Sequence, residues 1–273
     1  MCRLFGLIAN KPVDVRYSFY LSPHKFEDLS KDNPHGWGIA WLTDKGWGLF
    51  KEPIPLHKSS RARNLIEKQV RGRIIISHVR KASDGSPSFG NTHPWQYRGW
   101  VFAHNGKIGN RRDRDVLLGL LEDEHRENLE GETDSELFFH LIVQEVFRAG
   151  DPVRGIQSAV RKILDKDIYF SSLNFVASDG KRLYALRCFT RKPYRYTLYY
   201  IERPITDDFW GLSDATKQLI ETKLRTGERA IVVASEKISD EKCWREIPNG
   251  RLLVIDSDLK PQLREIKRKC ASE

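Results

Sequence analysis

The sequence predicts an α+β fold in which two β-sheets stack and helices cover their outer faces. Strand-like runs fall into two blocks, at residues 4–104 and 173–256, and a helical stretch lies between them. Two blocks of strands around a helical middle favour two packed sheets with helices outside. No repeat, low-complexity segment or linker divides the chain, so we expect a single domain spanning residues 1–273.

The first block of predicted strands consists of short apolar or β-branched runs. The run at 73–80 is dense in isoleucine and valine, as expected of a central strand, and the turn at 43–46 joins two further strands. Residues 10–35 show no clear periodicity, and long connections of this kind tend to serve functional sites. Predicted strands here are 4–9, 36–42, 47–51, 73–80 and 99–104, with a short helix at 60–69 and a loop at 85–93.

The middle of the chain carries the clearest helical pattern. Apolar residues recur every three or four positions between 137 and 146, which indicates an amphipathic helix. The residues before this stripe fit a capping box, with Thr133 as the N-cap and Glu136 as its partner three positions on. We also predict helices at 114–124 and 153–164, followed by strands at 173–177, 182–189, 197–202, 230–235 and 252–256.

Composition limits the class of protein. The chain has 273 residues, of which 40% are hydrophobic and 30% charged, which suffices for a buried core. No apolar run approaches the roughly 20 residues of a membrane span, and the N-terminus lacks the order of a signal peptide, so we expect a cytoplasmic protein. The net charge of +9 raises the question of nucleic-acid binding, but only residues 260–269 are clearly basic, where Leu263 and Ile266 predict an amphipathic end.

The four cysteines, Cys2, Cys188, Cys243 and Cys270, lie far apart in the sequence. They form no Cys-x-x-Cys pair and no cluster with histidine, so we predict neither a disulfide framework nor a zinc site. We accordingly expect no metal and no cofactor.

Cys2 follows the initiator methionine directly, and its small side chain predicts that Met1 is removed. The mature chain would then begin with a residue that carries both a thiol and a free α-amine. The reference pKa of a thiol is about 8.5 and that of an α-amine about 7.7 to 8.0. The amine can therefore take the thiol proton, directly or through one water, without help from a histidine.

Four polar clusters lie at predicted strand ends, in a loop and at a helix start: 78–80, 91–94, 105–106 and 133–134. Each has an ordinary explanation as surface, turn or cap residues. Together they supply what a thiol amidase needs, because an oxyanion requires donors such as an asparagine amide and a glycine N–H. An arginine suits a substrate α-carboxylate, and a carboxylate suits an α-ammonium. The helix dipole predicts that Asp134 stays ionised at its helix start.

These motifs together resemble the class II glutamine amidotransferases, whose nucleophile is an N-terminal cysteine. The resemblance is closest to stand-alone members that consist of a glutaminase-type domain and little else. It covers residues 1–140 by motif, and the remainder by length and strand content. The matching pieces, in order, are 2–6, 35–40, 78–80, 91–94, 103–106 and 132–136.

The resemblance implies a role for particular residues. Cys2 is the implied nucleophile and its α-amine the base, while Asn105 and Gly106 form the oxyanion hole. The implied substrate-binding residues are Arg80 for the carboxylate, Asp134 for the amino group, His93 beside the glutamine pocket and Ser83 as a hydroxyl assisting at the carboxylate. The implied fold is the four-layer αββα sandwich of N-terminal nucleophile hydrolases, which agrees with the two blocks of strands.

The chain departs from the better-known synthases of this family at three positions. Lys81 stands where they have a tryptophan, Asp84 where they have a histidine, and Arg3 where they tend to have a glycine. We therefore expect the loop over the substrate to close differently, or the substrate to be larger than glutamine.

Three functions remain open at this level. The first is hydrolysis of glutamine to glutamate and ammonia, with the ammonia passed to a partner such as a synthase subunit. The second is hydrolysis of other γ-glutamyl compounds, in which the same pocket holds the glutamyl half. The third, from another class, is a non-catalytic protein whose basic surface contacts nucleic acid, which salt-dependent binding to DNA or RNA would reveal.

Overall fold

The computed structural model describes residues 1–190, 196–204 and 214–266. Its thirteen described strands are β1 (Arg3–Val13), β2 (Trp37–Thr43), β3 (Gly46–Glu52), β4 (Gly72–Val79), β5 (Trp95–Tyr97), β6 (Trp100–Asn105), β7 (Asn174–Ser178), β8 (Leu183–Arg187), β9 (Tyr199–Arg203), β10 (Ala230–Ala234), β11 (Arg245–Glu246), β12 (Arg251–Ile255) and β13 (Pro261–Glu265). Their pairings are all antiparallel.

The helices are α1 (Phe26–Leu29), α2 (Ala62–Lys68), α3 (Arg111–Gly119), α4 (Asp123–Arg126), α5 (Asp134–Ala149), α6 (Pro152–Asp165) and α7 (Asp214–Arg225). One π-helical turn covers Tyr17–Leu21 and one 3₁₀ turn covers Leu56–Lys58. None of the helices in the described part is long and apolar enough to cross a membrane.

Two sheets form the centre of the fold. One has seven strands in the order β11-β9-β10-β1-β4-β2-β3, and the other has six in the order β13-β12-β8-β7-β6-β5. Side chains alternate along β1, so that Phe5 and Leu7 face the outer core with α1 and α2, while Leu4 and Ile8 face the second sheet. At Gly6, an added Cβ would lie 2.6 Å from Val176 Cγ1, so the sheets meet too closely for a side chain there.

Three apolar cores separate four layers. The first lies between the seven-stranded sheet and α1, α2 and the π-helical turn, the second between the sheets, and the third between the six-stranded sheet and the helices α5 and α6. This is the predicted α+β fold, a four-layer αββα sandwich, and the prediction is confirmed.

Several local predictions differ from the structure. Residues 10–35 are not irregular throughout, because β1 continues to Val13 and is followed by the π-helical turn and α1. The helix predicted at 114–124 is two helices, since Leu120 and Leu121 turn back onto the end of α3. Residues 261–265 form the edge strand β13 rather than an amphipathic end, pairing with β12. Residues 267–273 lie outside the described residues, and β5, α7 and β11 were not predicted.

The capping box predicted at the N-terminus of α5 is only partly formed. Thr133 Oγ1 accepts the backbone N–H of Glu136 at 3.3 Å. The Glu136 carboxylate does not close the box on Thr133, because it accepts the N–H groups of Glu130 at 2.6 Å and Gly131 at 2.8 Å. The side chain therefore anchors the segment that leads into the helix.

Two cysteines of the described part, Cys2 and Cys243, are free. Cys188, buried after β8, is disulfide-bonded. The wide spacing of the cysteines in the sequence did not predict this bond.

Candidate active site

Cys2 lies at one end of the sandwich, where β1 begins beside the end of β4. The register pairs Arg3 with Val79, which brings Cys2 to the residues that follow β4. Its Sγ accepts the Lys81 N–H at 3.2 Å and lies 3.4 Å from the Lys81 carbonyl oxygen. Burial raises the pKa of the Cys2 thiol, while the Lys81 N–H and the charge of Arg80 act in the opposite direction. The thiol therefore needs a base.

The N-terminal segment is held by Arg3. Its Nη1 donates to the carbonyl oxygens of Met1 at 2.9 Å and Cys2 at 3.1 Å, and its Nη2 pairs with Glu236. Leu4 adds a hydrogen bond from its N–H to Ser235 Oγ at 2.9 Å. Arg3 thus fixes the backbone on both sides of Cys2. Removal of Met1 stays a prediction.

Arg80 is 2% exposed and lies immediately after β4. Its guanidinium donates to the carbonyl oxygens of Asp84 at 2.7 Å, Gly85 at 3.1 Å and Ser86 at 3.1 Å. Burial lowers the pKa of Arg80, whereas the nearby charges of Cys2, Asp84 and Asp134 raise it. The arginine and the nucleophile are therefore neighbours, as the sequence predicts. Ser83 is exposed and hydrogen-bonds to none of the described residues.

Asn105 and Gly106 end strand β6 of the second sheet at the same end of the sandwich. Asn105 is 2% exposed, and its Nδ2 donor has no hydrogen-bond partner among the described residues. A Cβ on Gly106 would lie 1.9 Å from the Ser172 carbonyl oxygen, so only glycine fits there. The pair therefore offers a buried, unused amide donor beside a backbone that is packed too tightly for a side chain.

Asp134, the first residue of α5, faces the loop that follows Gly106. Its Oδ2 accepts the Ile108 N–H at 2.6 Å, and its Oδ1 lies 3.1 Å from Ser135 Oγ. It forms no ion pair with another described residue. Burial raises the pKa of the Asp134 carboxyl against the lowering effect of these hydrogen bonds. The sequence argument from the helix dipole missed this dominant effect of burial.

His93 lies in the wall between the two sheets. Its ring is 4.0 Å from the rings of both His78 and Trp95, measured between centroids, and neither ring nitrogen has a hydrogen-bond partner within the described part. Burial lowers the pKa of His93 well below the ordinary range. His78, on β4, hydrogen-bonds through Nε2 to the His104 carbonyl oxygen on β6 at 3.1 Å, which ties the two sheets together behind the site.

Asn91 and Glu132 connect two parts of the site and were not assigned a role from the sequence. Asn91 Nδ2 donates to the Ser86 carbonyl oxygen at 3.1 Å, and Asn91 Oδ1 accepts the Glu132 N–H at 2.9 Å. The loop held by Arg80 is thus joined to the segment that precedes Asp134. The position of Asn91 in a Gly-Asn-Thr-His-Pro run was the available signal, but its partners are far away in sequence.

The structure therefore gathers Cys2, Arg80, Asn105, Gly106 and Asp134 at one end of the sandwich, with His93 in the wall behind. Ser83 is the predicted residue that no contact brings in. Within residues 1–190, 196–204 and 214–266, no group of three or more histidine, cysteine, aspartate or glutamate side chains is placed to hold a metal ion.

The fold is that of the N-terminal nucleophile hydrolases, and comparison with known proteins gives the family. The family model of the class II glutamine amidotransferases matches residues 1–270. The chain belongs to this family and is a glutamine amidotransferase.

Two relatives match most of this chain, and a solved structure has a similar fold. An uncharacterised protein of Methanocaldococcus jannaschii is 30% identical over 262 residues, covering 93% of this chain and 69% of that protein. YafJ of Escherichia coli, provisionally named a glutamine amidotransferase, is 26% identical over 267 residues, covering 92% and 95%. The structure of a class II glutamine aminotransferase domain protein of Silicibacter pomeroyi is similar in fold, with a TM-score of 0.65 at 22% identity, covering 97% of this chain and 99% of that one.

Proposed function

We propose that the mature chain begins at Cys2 and hydrolyses the side-chain amide of glutamine. The thiol sulfur attacks the amide carbon, while the α-amine of Cys2 takes the thiol proton. The negative charge formed on the amide oxygen is stabilised by Asn105 Nδ2 and the Gly106 N–H. The amine returns the proton to the departing nitrogen, which leaves as ammonia. Water then hydrolyses the thioester to glutamate and restores the thiol.

One observation supports this role most strongly. A buried donor without an acceptor costs about 1–3 kcal/mol, and Asn105 Nδ2 is such a donor. It belongs to the strand end beside Gly106, in the part of the fold that also carries Cys2 and Arg80. A substrate oxyanion supplies the acceptor that the described protein lacks, so the cost in the free enzyme favours the transition state.

The binding groups of the proposal follow the same logic. Arg80 carries its charge in a buried position suited to the substrate α-carboxylate. Its Nη atoms donate to three loop carbonyls, but its Nε–H donates to none of the described residues and remains for the substrate. Asp134 has no cationic partner among the described residues, and the substrate α-ammonium would provide one. His93 shapes the pocket wall as a neutral ring, and Ser83 would assist at the carboxylate only if its loop moved inward on binding.

The test is release of glutamate from L-glutamine by the purified mature chain. Cys2→Ala should abolish turnover without changing the melting temperature, and a glutamine-analogue diazo-ketone should modify Cys2 alone. Cys243→Ala is the matched control, because Cys243 is also free, is exposed, and has no assigned role in the site. Turnover that survives in Cys2→Ala, or modification of Cys243 instead, would refute the proposal.

The second candidate, hydrolysis of other γ-glutamyl compounds, is favoured by the surface beyond Arg80. Lys81, Ser83, Asp84 and Phe89 are all exposed, so the rim of the loop is open. The same pocket would hold the glutamyl half while a larger leaving group departs. Rates on γ-glutamyl peptides compared with L-glutamine decide between the two.

The fate of the ammonia belongs to the same proposal. We propose that residues 1–273 form a single domain and that the ammonia is passed to an ammonia-accepting synthase subunit. The cytoplasmic location stays a prediction.

A further inference from the structure

Three hydrogen bonds connect the carboxylate of Asp134 to the backbone behind Gly106. Asp134 Oδ1 lies 3.1 Å from Ser135 Oγ, which lies 2.8 Å from His104 Nδ1. His104 Nε2 in turn lies 3.1 Å from the Ser172 carbonyl oxygen. That carbonyl is the atom that excludes a side chain from Gly106. The chain, called here the Asp134–His104 relay, therefore runs from the ammonium-binding carboxylate to the oxyanion side of the site.

In the usual ionisation states, this relay has fewer protons than hydrogen-bond contacts. Its two ends, a carboxylate oxygen and a carbonyl oxygen, are both acceptors. Between them, the Ser135 hydroxyl brings one proton and a neutral imidazole brings one. Three contacts need three protons, so an ionised Asp134 with a neutral His104 leaves one contact between two lone pairs.

A third proton removes this conflict. With Asp134 protonated, its O–H donates to Ser135 Oγ, the Ser135 O–H donates to His104 Nδ1, and His104 Nε2–H donates to the Ser172 carbonyl. Burial favours this arrangement, because it raises the pKa of Asp134 and lowers the pKa of His104 to about 4. All three side chains are at most 6% exposed.

The charged and titratable neighbours have also to be considered. Asp84, in the loop after β4, raises the pKa of Asp134 further. Arg80 interacts with Asp134, and its positive charge favours the ionised carboxylate. His78 and His93 face His104, and both have a lowered pKa, so they remain neutral and add no charge to the relay.

We propose that Asp134, Ser135 and His104 hold one additional proton as a unit in the free enzyme, and that binding of the substrate α-ammonium to Asp134 releases it to solvent. Once Asp134 is ionised, the ammonium donates to it, while the Ser135 O–H and the His104 Nε2–H keep donating to His104 Nδ1 and the Ser172 carbonyl. The ion pair with the ammonium replaces the hydrogen bond that the Asp134 O–H made to Ser135. Ser135 and His104 are thus positioning residues that act through Asp134. The inference rests on the proposed function, in which Asp134 binds the substrate amino group.

The experiment is isothermal titration calorimetry of the Cys2→Ala variant with L-glutamine, in pairs of buffers with different ionisation enthalpies. We expect proton release on binding that grows as the pH falls from 8 to 6, towards about one proton per site. The control ligand is 4-carbamoylbutanoate, which has the same amide and carboxylate but no amine. It should bind more weakly and release no proton. Equal release by both ligands, or none by glutamine, would overturn the inference.

A double-mutant cycle identifies the relay. In the Cys2→Ala background, His104→Gln keeps a donor for Ser172 and frees Ser135 to donate to Asp134, so proton release should fall by at least half. When Ser135→Ala has already cut the relay, His104→Gln should change the release no further. An unchanged release in His104→Gln with Ser135 present refutes the relay.

Two further observations separate the possible failures. If His104→Gln does not fold, the ¹⁵N shifts of His104 in the Cys2→Ala protein give the answer, since the inference requires a protonated Nε2 and an accepting Nδ1 before glutamine is added. A bare Nε2 would refute it. If L-glutamine does not bind at all, the proposed function fails and the inference falls with it, whereas binding without proton release sinks the inference alone.

Discussion

Helix α5 has a buried carboxylate near each end, and the pKa values of the two carboxylates are shifted in opposite directions. Glu145, near the C-terminal end, accepts from Lys162 Nζ at 2.7 Å, Arg148 Nη1 at 2.8 Å and Ser158 Oγ at 2.6 Å. These partners lower the pKa of Glu145 despite its burial. Asp134, at the N-terminal end, has one backbone N–H and one hydroxyl, and burial raises its pKa.

This difference is the one expected between a structural carboxylate and one that serves a ligand. Removing a buried carboxylate whose partners lie within the protein leaves those partners unpaired. A buried carboxylate with few donors, such as Asp134, has capacity left for a ligand, which supports its proposed role.

The most direct test of this difference is to neutralise each carboxylate in turn. Asp134→Asn should lower kcat/KM by about a hundredfold to a thousandfold, mainly through KM, because the substrate ammonium loses a desolvated charged partner. Its stability should change little, since an asparagine oxygen can still accept the Ile108 N–H. Glu145→Gln should leave kcat and KM per folded molecule unchanged and cost about 2 kcal/mol of unfolding free energy. Steady-state kinetics and urea denaturation measure both, and the reverse pattern would refute the division.

Substitution of Gly106 tests the proposed oxyanion hole. Gly106→Ala places a Cβ against the Ser172 carbonyl oxygen, at 1.9 Å before relaxation, and must displace the backbone N–H. We expect kcat to fall by about a hundredfold to a thousandfold, the range for losing one oxyanion donor. Gly119→Ala, at the end of α3 with nothing within 4 Å of the added Cβ, is the matched control and should keep full activity. Normal kcat in folded Gly106→Ala would remove this residue from the site.

Retention of Met1 tests whether the base belongs to the same region. With Met1 attached, the nitrogen of Cys2 is a peptide amide and has no basic lone pair. We expect a mature chain beginning at Cys2 to turn over glutamine at least roughly a hundredfold faster than one kept unprocessed by an N-terminal tag, within the range for losing a general base. Intact-mass measurement of each preparation accompanies its rate. Equal rates would show that the α-amine is not the base.

The smallest effect concerns the buried histidines behind the site. Burial lowers the pKa of His78 to about 3 and that of His104 to about 4, below the unfolded value of about 6.5. The unfolded chain therefore binds more protons, and stability should be full above pH 6.5 and decline as the pH falls towards 4. Melting temperatures between pH 7.5 and 4.5 measure this decline. His24→Gln, at an exposed histidine, should leave the curve unchanged, and a flat curve for the unmodified protein would contradict the assignment.

The layered fold and the candidate site residues could be predicted from the sequence. Two blocks of strands around a helical middle predicted two sheets with outer helices, because burial of one face of each element leaves few other arrangements. Cys2, Arg80, Asn105, Gly106 and Asp134 were proposed from short motifs beside strand ends and a helix start and from the resemblance that these motifs carry; their roles stay predictions. Thr133 was found as a cap for the same reason, because its partner is only three residues away.

Which buried polar groups have hydrogen-bond partners could be seen only in the tertiary structure. Ile108, which donates to Asp134, and Lys162 and Ser158, which donate to Glu145, lie on other elements, so the local sequence did not distinguish the two carboxylates. The roles of Asn91, Ser135, His104 and Ser172 depend on contacts 31 to 68 residues apart. Burial of Asp134, rather than the helix dipole visible in the sequence, sets the direction of its pKa shift, because the low polarity around a carboxyl group arises only when separate sheets and helices pack around it.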